Sequence, residues 1–214
     1  MKKDTAEKQR RLSPAEQRRL EQFQELGRRL TEQGYKMTEL TVGIVRANIF
    51  ALVLAVPVFA LGLILFFLRN RALSFSGFSG RAYLIFLAGL LLLTVVHELI
   101  HGLTWACFAE RHWRDIEFGF MKEYLTPYCT CRVPLTRGQY VLGALTPLLL
   151  LGLLPALAGV LCGSFPLLLM GLIMIVAAGG DILIVCRILT FRSPAREILY
   201  CDHPTRAGGV VFEK

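Results

Sequence analysis

Two histidines and a glutamate within five residues carry the clearest chemistry in this sequence. His97-Glu98-Leu99-Ile100-His101 matches H-E-x-x-H, in which histidines four residues apart lie on one face of a helix and can share a zinc ion. The glutamate between them lies beside the metal, where it can act as a general base. The chain has only 4 histidines in 214 residues, so chance is a poor explanation for the match.

A catalytic zinc ion usually has three protein ligands and an open position for water, so the two histidines need a partner. We favour Asp181, because His97, His101 and Asp181 lie about 16, 10 and 12 Å above the same ends of their predicted membrane helices. His112 is another candidate, although the chain would have to fold back to bring it to the motif. Asp181 could instead be a structural partner of Arg187 or of a helix hydroxyl.

The composition excludes an ordinary soluble domain, because 54% of the residues are hydrophobic, 19% are charged, and the mean hydropathy is +0.52. It also excludes a disordered chain, which would have few apolar residues. Four segments are long and apolar enough to span a membrane, at residues 47–68, 82–108, 140–162 and 166–189. Ionisable side chains at membrane depth are costly, so the three motif residues and Asp181 are functional candidates by default.

The positive charges indicate an orientation. Of the 24 Lys and Arg residues, 21 lie in the N-terminal tail, in the loop after span 2 and at the C-terminal end, which predicts that both termini are cytoplasmic. The net charge of +8 therefore indicates a surface that faces anionic lipid and not nucleic acid. Three regions are predicted: a cytoplasmic tail over residues 1–46, a transmembrane metalloprotease-like domain over 47–189, and a cytoplasmic tail over 190–214.

The N-terminal tail has a helix signal of its own. Ser13, Pro14 and Glu16 form a capping box with proline at the first helical position, and Gly34 is suited to end the helix. An apolar stripe recurs near helical spacing at Leu20, Phe23, Leu26 and Leu30. We expect this amphipathic helix to rest on the protein or on lipid headgroups, with a partner-binding helix as the alternative.

The loop between spans 2 and 3 contains a strand pattern. Ile116, Phe118 and Phe120 alternate with polar or small residues, which is typical of a half-buried strand, and residues 128–133 can form the return strand. Such a β-hairpin could bind an extended substrate or merely cap the bundle. The predicted fold is therefore an all-α membrane protein, a bundle of four transmembrane helices with an N-terminal cytoplasmic amphipathic helix and this small hairpin.

The six cysteines are not expected to form a disulfide framework, since five of them map to the cytoplasmic half, where thiols stay reduced. Cys129-x-Cys131, together with Cys201 and His203, could bind a metal, but the C-x-C spacing is tighter than the usual zinc signature. We therefore interpret these cysteines as apolar filling residues.

Several further motifs resemble one family of small multi-pass membrane proteins, the "putative zincin peptidases". The resemblance runs from about residue 90 to residue 212. It rests on His97-Glu98-Leu99-Ile100-His101-Gly102, Phe118-Gly119-Phe120, Thr126-Pro127-Tyr128-Cys129, Pro134-Leu135, Gln139-Tyr140 and Gly180-Asp181. In outline the chain is also similar to the site-2 intramembrane metalloproteases, which combine H-E-x-x-H on one membrane helix with an Asp ligand on a later one. It departs from them at Ile182, where they usually have Gly directly after the Asp.

The resemblance implies a membrane-embedded zinc hydrolase, with His97, His101 and Asp181 as ligands and Glu98 as the general base for a metal-activated water. The substrate would be a membrane or membrane-proximal peptide, and the expected setting is the lipid bilayer of a bacterial cytoplasmic membrane. The alternative is a non-catalytic membrane protein with a structural or regulatory metal site. Metal transport is disfavoured, because the four spans provide only one layer of ionisable residues.

Overall fold

The computed structural model describes residues 13–71, 80–121 and 126–214. The first twelve residues of the predicted tail, and parts of the loops after spans 1 and 2, lie outside these ranges. The helices are α1 (Pro14–Glu32), α2 (Ile44–Asn70), α3 (Gly80–Ala106), α4 (Arg137–Pro147), α5 (Leu154–Cys162), α6 (Phe165–Ala177) and α7 (Gly179–Thr190). The strands are β1 (Lys36–Thr41), β2 (Ile116–Met121), β3 (Thr126–Cys131), β4 (Leu135–Thr136), β5 (Ile198–Asp202) and β6 (Gly208–Glu213).

Three helical segments of the described chain are long and apolar enough to cross a membrane. They are α2, α3 and the continuous helix Arg137–Cys162, in which a π-helical stretch, Leu148–Leu153, joins α4 to α5. The pair α6 and α7, bent by 47°, makes a fourth if it is counted as one span. Large apolar side chains are exposed along α2 and α3, as a lipid-facing surface requires. The first and last residues of these segments lie within three residues of the ends of the predicted spans.

The prediction of an all-α bundle is wrong, because the described residues include six strands in two antiparallel sheets. The hairpin between spans 2 and 3 is present, with β2 paired to β3 from Ile116↔Cys131 to Met121↔Thr126. The second sheet has the strand order β1-β6-β5-β4. Its strands come from both predicted tails and from the segment before α4. Within the predicted C-terminal tail, β5 and β6 pair with each other as a β-hairpin.

The second sheet was missed because its pairing is not local. Lys36 pairs with Glu213 and Thr41 with Gly208, so β1 and β6 meet across almost the whole chain. A strand of six residues next to a membrane helix has too short a pattern to identify its partner. Tertiary contacts determine this sheet, and its core residues Val210, Val211 and Phe212 are fully buried.

The second sheet gathers three helix termini at one end of the bundle. The start of α2 follows β1, the start of α4 follows β4, and the end of α7 leads into β5. Because β1, β4 and β5 belong to one sheet, these termini lie on the same side. The end of α3 leads into β2, and its partner strand β3 reaches the same side, since the Cys131 amide donates to Asp202 of β5.

Helix α1 packs on the second sheet. Its capping box is present, since the Ser13 amide donates to the Glu16 carboxylate over 2.8 Å and the Glu16 amide donates to the Ser13 hydroxyl over 3.3 Å. The stripe residues Phe23, Leu26 and Leu30 pack in the cluster that contains Phe212, Val210 and Cys201. The amphipathic face is thus covered by the protein itself.

Candidate metal centre

Helix α3 places the two motif histidines one above the other. Their ring centroids are 4.8 Å apart, and the two Nε2 atoms are separated by 3.1 Å. His97 is 7% exposed and His101 is 4% exposed. The helical spacing of four residues accounts for the closeness of the two rings, which meet edge-on at 77°. Burial shields both rings from bulk water.

Asp181, in the first turn of α7, faces both histidines. Its Oδ2 atom is 3.1 Å from His97 Nε2, and its Oδ1 atom is 3.6 Å from His101 Nε2. The Asp181 side chain is 24% exposed, so the centre retains a path to its surroundings on this side. Two helices far apart in sequence therefore contribute to one cluster.

The separations in this cluster fit a tetrahedral zinc site. Nitrogen or oxygen ligands at about 2.0–2.1 Å from a tetrahedral zinc are about 3.3 Å from one another, and the separations here are 3.1, 3.1 and 3.6 Å. Two imidazoles and one carboxylate are also a ligand set that zinc uses in catalytic sites. Among the described residues, this is the only convergent group of three His, Cys, Asp or Glu ligand atoms.

The ring of His101 is oriented by helix α4. Its Nδ1 atom is 2.8 Å from the carbonyl oxygen of Gly143, and because a carbonyl only accepts, Nδ1 donates this hydrogen bond. The lone pair of the neutral ring is then on Nε2, which points into the cluster. Trp105 stacks on the same ring at 5.1 Å and 14°. In metal sites, a hydrogen bond from the second ring nitrogen of a histidine to a backbone carbonyl normally fixes the tautomer of that histidine.

Glu98 is held by the β2–β3 hairpin. The backbone of Cys129 provides a hydrogen bond to its carboxylate. The hairpin approaches α3 closely at Gly102, where a Cβ atom would lie 3.0 Å from Ile116 Cγ2 and 3.2 Å from Cys129 Sγ. The absence of a side chain at Gly102 therefore lets the hairpin pack over the helix turn that carries the motif.

The start of α7 depends on a close approach to α2. A Cβ atom on Gly179 would lie 2.9 Å from Ala51 Cβ, whereas a Cβ atom on Gly180 would have nothing within 4 Å. The close contact with α2 is therefore made at Gly179 and not at Gly180.

Gly179→Ala should lower the free energy of unfolding by about 1–3 kcal/mol, because the added methyl group overpacks the contact with α2. Gly180→Ala is the matched control, and it should be neutral or slightly stabilising, since alanine favours helix over glycine. Denaturant unfolding of both variants in detergent measures the difference. Equal unfolding midpoints for the two variants would contradict the close approach.

The other sequence candidates do not join the cluster. His112 lies on a short 3₁₀ helix, His112–Asp115, and its Nδ1 atom bonds to the carbonyl of Ala106 over 3.0 Å. All six cysteines are free. Cys131 and Cys201 are buried in the core, and burial raises the pKa of the Cys131 thiol to about 12 and that of the Cys201 thiol well above its usual value. Both therefore stay neutral at physiological pH.

A family model described as "Putative zincin peptidase" matches residues 90–196, half of the chain. The chain belongs to this family. The matched range of the zincin family contains the H-E-x-x-H motif, the β2–β3 hairpin and Asp181, and it confirms the resemblance inferred from the sequence. The elements α1, β1, α2, β5 and β6 lie outside the match. No curated protein and no solved structure matches the chain.

Three residues that support this candidate metal centre were not identified from the sequence. Trp105 follows His101 by one helical turn, so its position on the same face was a usable signal. The Gly143 carbonyl and the Cys129 amide are backbone groups, and no residue type marks them in advance. Tertiary packing alone reveals their hydrogen bonds with His101 and Glu98.

Proposed function

We propose that the chain is a membrane-embedded, zinc-dependent peptidase that cleaves a membrane or membrane-proximal peptide bond. The observation that carries the proposal is the convergence of His97, His101 and Asp181, with ligand atoms 3.1 to 3.6 Å apart, beside the glutamate of the same motif. Membership of the zincin family supports the same reaction class.

In the proposed site, His97 Nε2, His101 Nε2 and the Asp181 carboxylate hold the zinc ion. Zinc bound by three protein ligands supplies a Lewis acid that lowers the pKa of water and polarises a carbonyl group. The chain's own contribution is to aim both imidazoles inward, and for one ring the hydrogen bond from His101 Nδ1 to the Gly143 carbonyl fixes the tautomer that leaves the lone pair on Nε2.

Glu98 is the general base of the proposed reaction. Its carboxylate takes a proton from the attacking water and then gives it to the nitrogen of the leaving amine, so the base returns to its starting state. The hydrogen bond from the Cys129 amide orients this carboxylate before the substrate arrives. The hairpin thus takes part in positioning the base.

The hairpin is also the proposed docking edge for the substrate. In the β2–β3 register, Pro127 has no amide hydrogen and faces Phe120, so the backbone groups of Pro127 and Cys129 point away from β2. An extended peptide that adds to this edge of β3 would lie next to Glu98.

The proposed topology has four spans with both termini in the cytoplasm. The second sheet joins the N-terminal and C-terminal segments on one side of the bundle, which requires an even number of crossings. The excess of Lys and Arg on these segments favours the cytoplasmic side for them. The metal centre then lies within the membrane, towards the cytoplasmic face.

The test is metal content together with chelator-sensitive cleavage. The full chain, purified in detergent, should hold one zinc ion, and free zinc at about 100 times its Kd should raise the free energy of unfolding by about 2.7 kcal/mol. Cleavage of a library of membrane peptides should disappear on chelation and return with zinc. A chain that never retains zinc would remove the proposal, and one that retains zinc without any cleavage would favour the non-catalytic metal protein.

A further inference from the structure

Asp202, at the end of β5, has a partly buried carboxylate that ties three elements together. Its Oδ1 atom accepts from the Tyr140 hydroxyl of α4 over 2.5 Å, and its Oδ2 atom accepts from the Cys131 amide of β3 over 2.9 Å. The Thr130 side chain supplies a further hydrogen bond. Burial raises the pKa of Asp202, and these donors oppose that effect. A partly desolvated carboxylate that is held by donors from both α4 and β3 needs an explanation.

The first connection runs from Asp202 through α4 to His101. Tyr140 is 3% exposed, and its carbonyl accepts from Trp105 Nε1 over 3.3 Å. One helical turn later, the carbonyl of Gly143 accepts from His101 Nδ1 over 2.8 Å. Trp105 and His101 are likewise one turn apart on α3. The two carbonyls therefore set the register between α3 and α4, and the Tyr140 hydroxyl anchors that register to Asp202.

The second connection runs from Asp202 through β3 to Glu98. The Cys131 amide bonds to Asp202, and two residues earlier the Cys129 amide bonds to Glu98. Both amides lie on the edge of β3 that faces away from β2. Two carboxylates thus hold one strand edge, and a shift of this edge would move the hydrogen bond that orients Glu98.

We propose that Asp202 is a positioning residue of the metal centre, which fixes the ring of His101 through Tyr140 and the carboxylate of Glu98 through β3. It touches none of the proposed zinc ligands, and it lies outside residues 90–196, the range that the family model matches. The C-terminal hairpin therefore serves the site as well as the stability of the fold. This inference rests on the proposed zinc site.

The test compares zinc affinity in the full chain, by competition with a chromogenic chelator, for the wild type, Tyr140→Phe, Asp202→Asn and the double variant. Groups that hydrogen-bond to zinc ligands typically contribute 10–100-fold to metal affinity or activity. We therefore expect each single change to weaken zinc binding about tenfold. The double variant should lose little more than either single variant, because both changes break the same connection.

Tyr200→Phe is the matched control. Tyr200 is 1% exposed and its ring centroid is 6.3 Å from that of Tyr140, but its hydroxyl accepts from Arg137 Nε over 3.0 Å. Removing this hydroxyl should lower the melting temperature as Tyr140→Phe does, while zinc affinity stays at the wild-type value. If Asp202 had a purely structural role, Asp202→Asn and Tyr140→Phe would change zinc affinity no more than Tyr200→Phe does.

The outcomes separate the two proposals. If the wild type binds zinc and both Tyr140→Phe and Asp202→Asn bind it with unchanged affinity, the positioning role is refuted and the zinc site stands. If the wild type binds no zinc, the proposed function fails and this inference fails with it. If Asp202→Asn does not fold, the comparison of zinc affinity between Tyr140→Phe and Tyr200→Phe decides, since both variants keep the buried aromatic ring.

Discussion

Glu98→Gln should leave the zinc content of the chain unchanged and reduce the rate of peptide cleavage by about 10²–10⁴-fold. Glutamine has the size of glutamate and can still accept a hydrogen bond from the Cys129 amide, but it cannot take a proton from water. The expected loss is that of a general base. The zinc ligands are untouched, so metal binding and catalysis should separate in this variant.

The measurements are zinc per chain and the kcat for a cleaved membrane peptide. Glu110→Gln is the matched control. Glu110 is exposed just beyond the end of α3, so this substitution removes the same negative charge at a position away from the cluster. Its cleavage rate should equal that of the wild type. Wild-type cleavage by Glu98→Gln would eliminate Glu98 as the base, and loss of zinc in that variant would make Glu98 part of the metal site.

The second large effect is expected at Asp181. Asp181→Asn should weaken zinc binding by more than about 100-fold. This loss exceeds the usual contribution of residues that only hydrogen-bond to a zinc ligand. The amide retains the shape of the carboxylate but loses its negative charge, and that charge lies 3.1 Å from His97 Nε2 and 3.6 Å from His101 Nε2. Chelator competition measures the affinity, and circular dichroism checks the helix content.

His112→Gln is the control that separates the two third ligands suggested by the sequence. Its ring bonds to the carbonyl of Ala106, outside the cluster, so zinc affinity should not change. The reverse pattern, with zinc retained by Asp181→Asn and lost from His112→Gln, would exclude the proposed geometry. Loss of zinc from both variants would point to a general loss of structure, which the helix content would reveal.

Residue type and spacing were sufficient to select the members of the cluster. His97 and His101 follow from the helical period, and Asp181 follows from its depth in an otherwise apolar segment, because an ionised group in lipid requires a partner. The span positions follow from the same physics, since a long uncharged helix has few alternatives to a membrane. Whether these residues bind zinc and catalyse hydrolysis stays a prediction until the variants above are measured.

The supporting contacts could not be predicted in the same way. The hydrogen bonds to Gly143 O and from Cys129 N–H involve backbone groups, which every residue has, so no residue type identifies them. The bend of 47° after Ala177 was also absent from the prediction of one straight span. Just after the bend, Gly179 lies against Ala51 of α2, a residue more than a hundred positions away.

The sequence by itself determined the candidate membrane spans, the hairpin after α3 and the identity of the candidate ligands, because apolar length and helical periodicity are local properties of the chain. The tertiary structure alone decided that the two tails join in one sheet, and that Asp202 of this sheet reaches Tyr140 and β3. Pairing between β1 and β6 depends on contacts across nearly the full chain, and short strand patterns do not specify their partners.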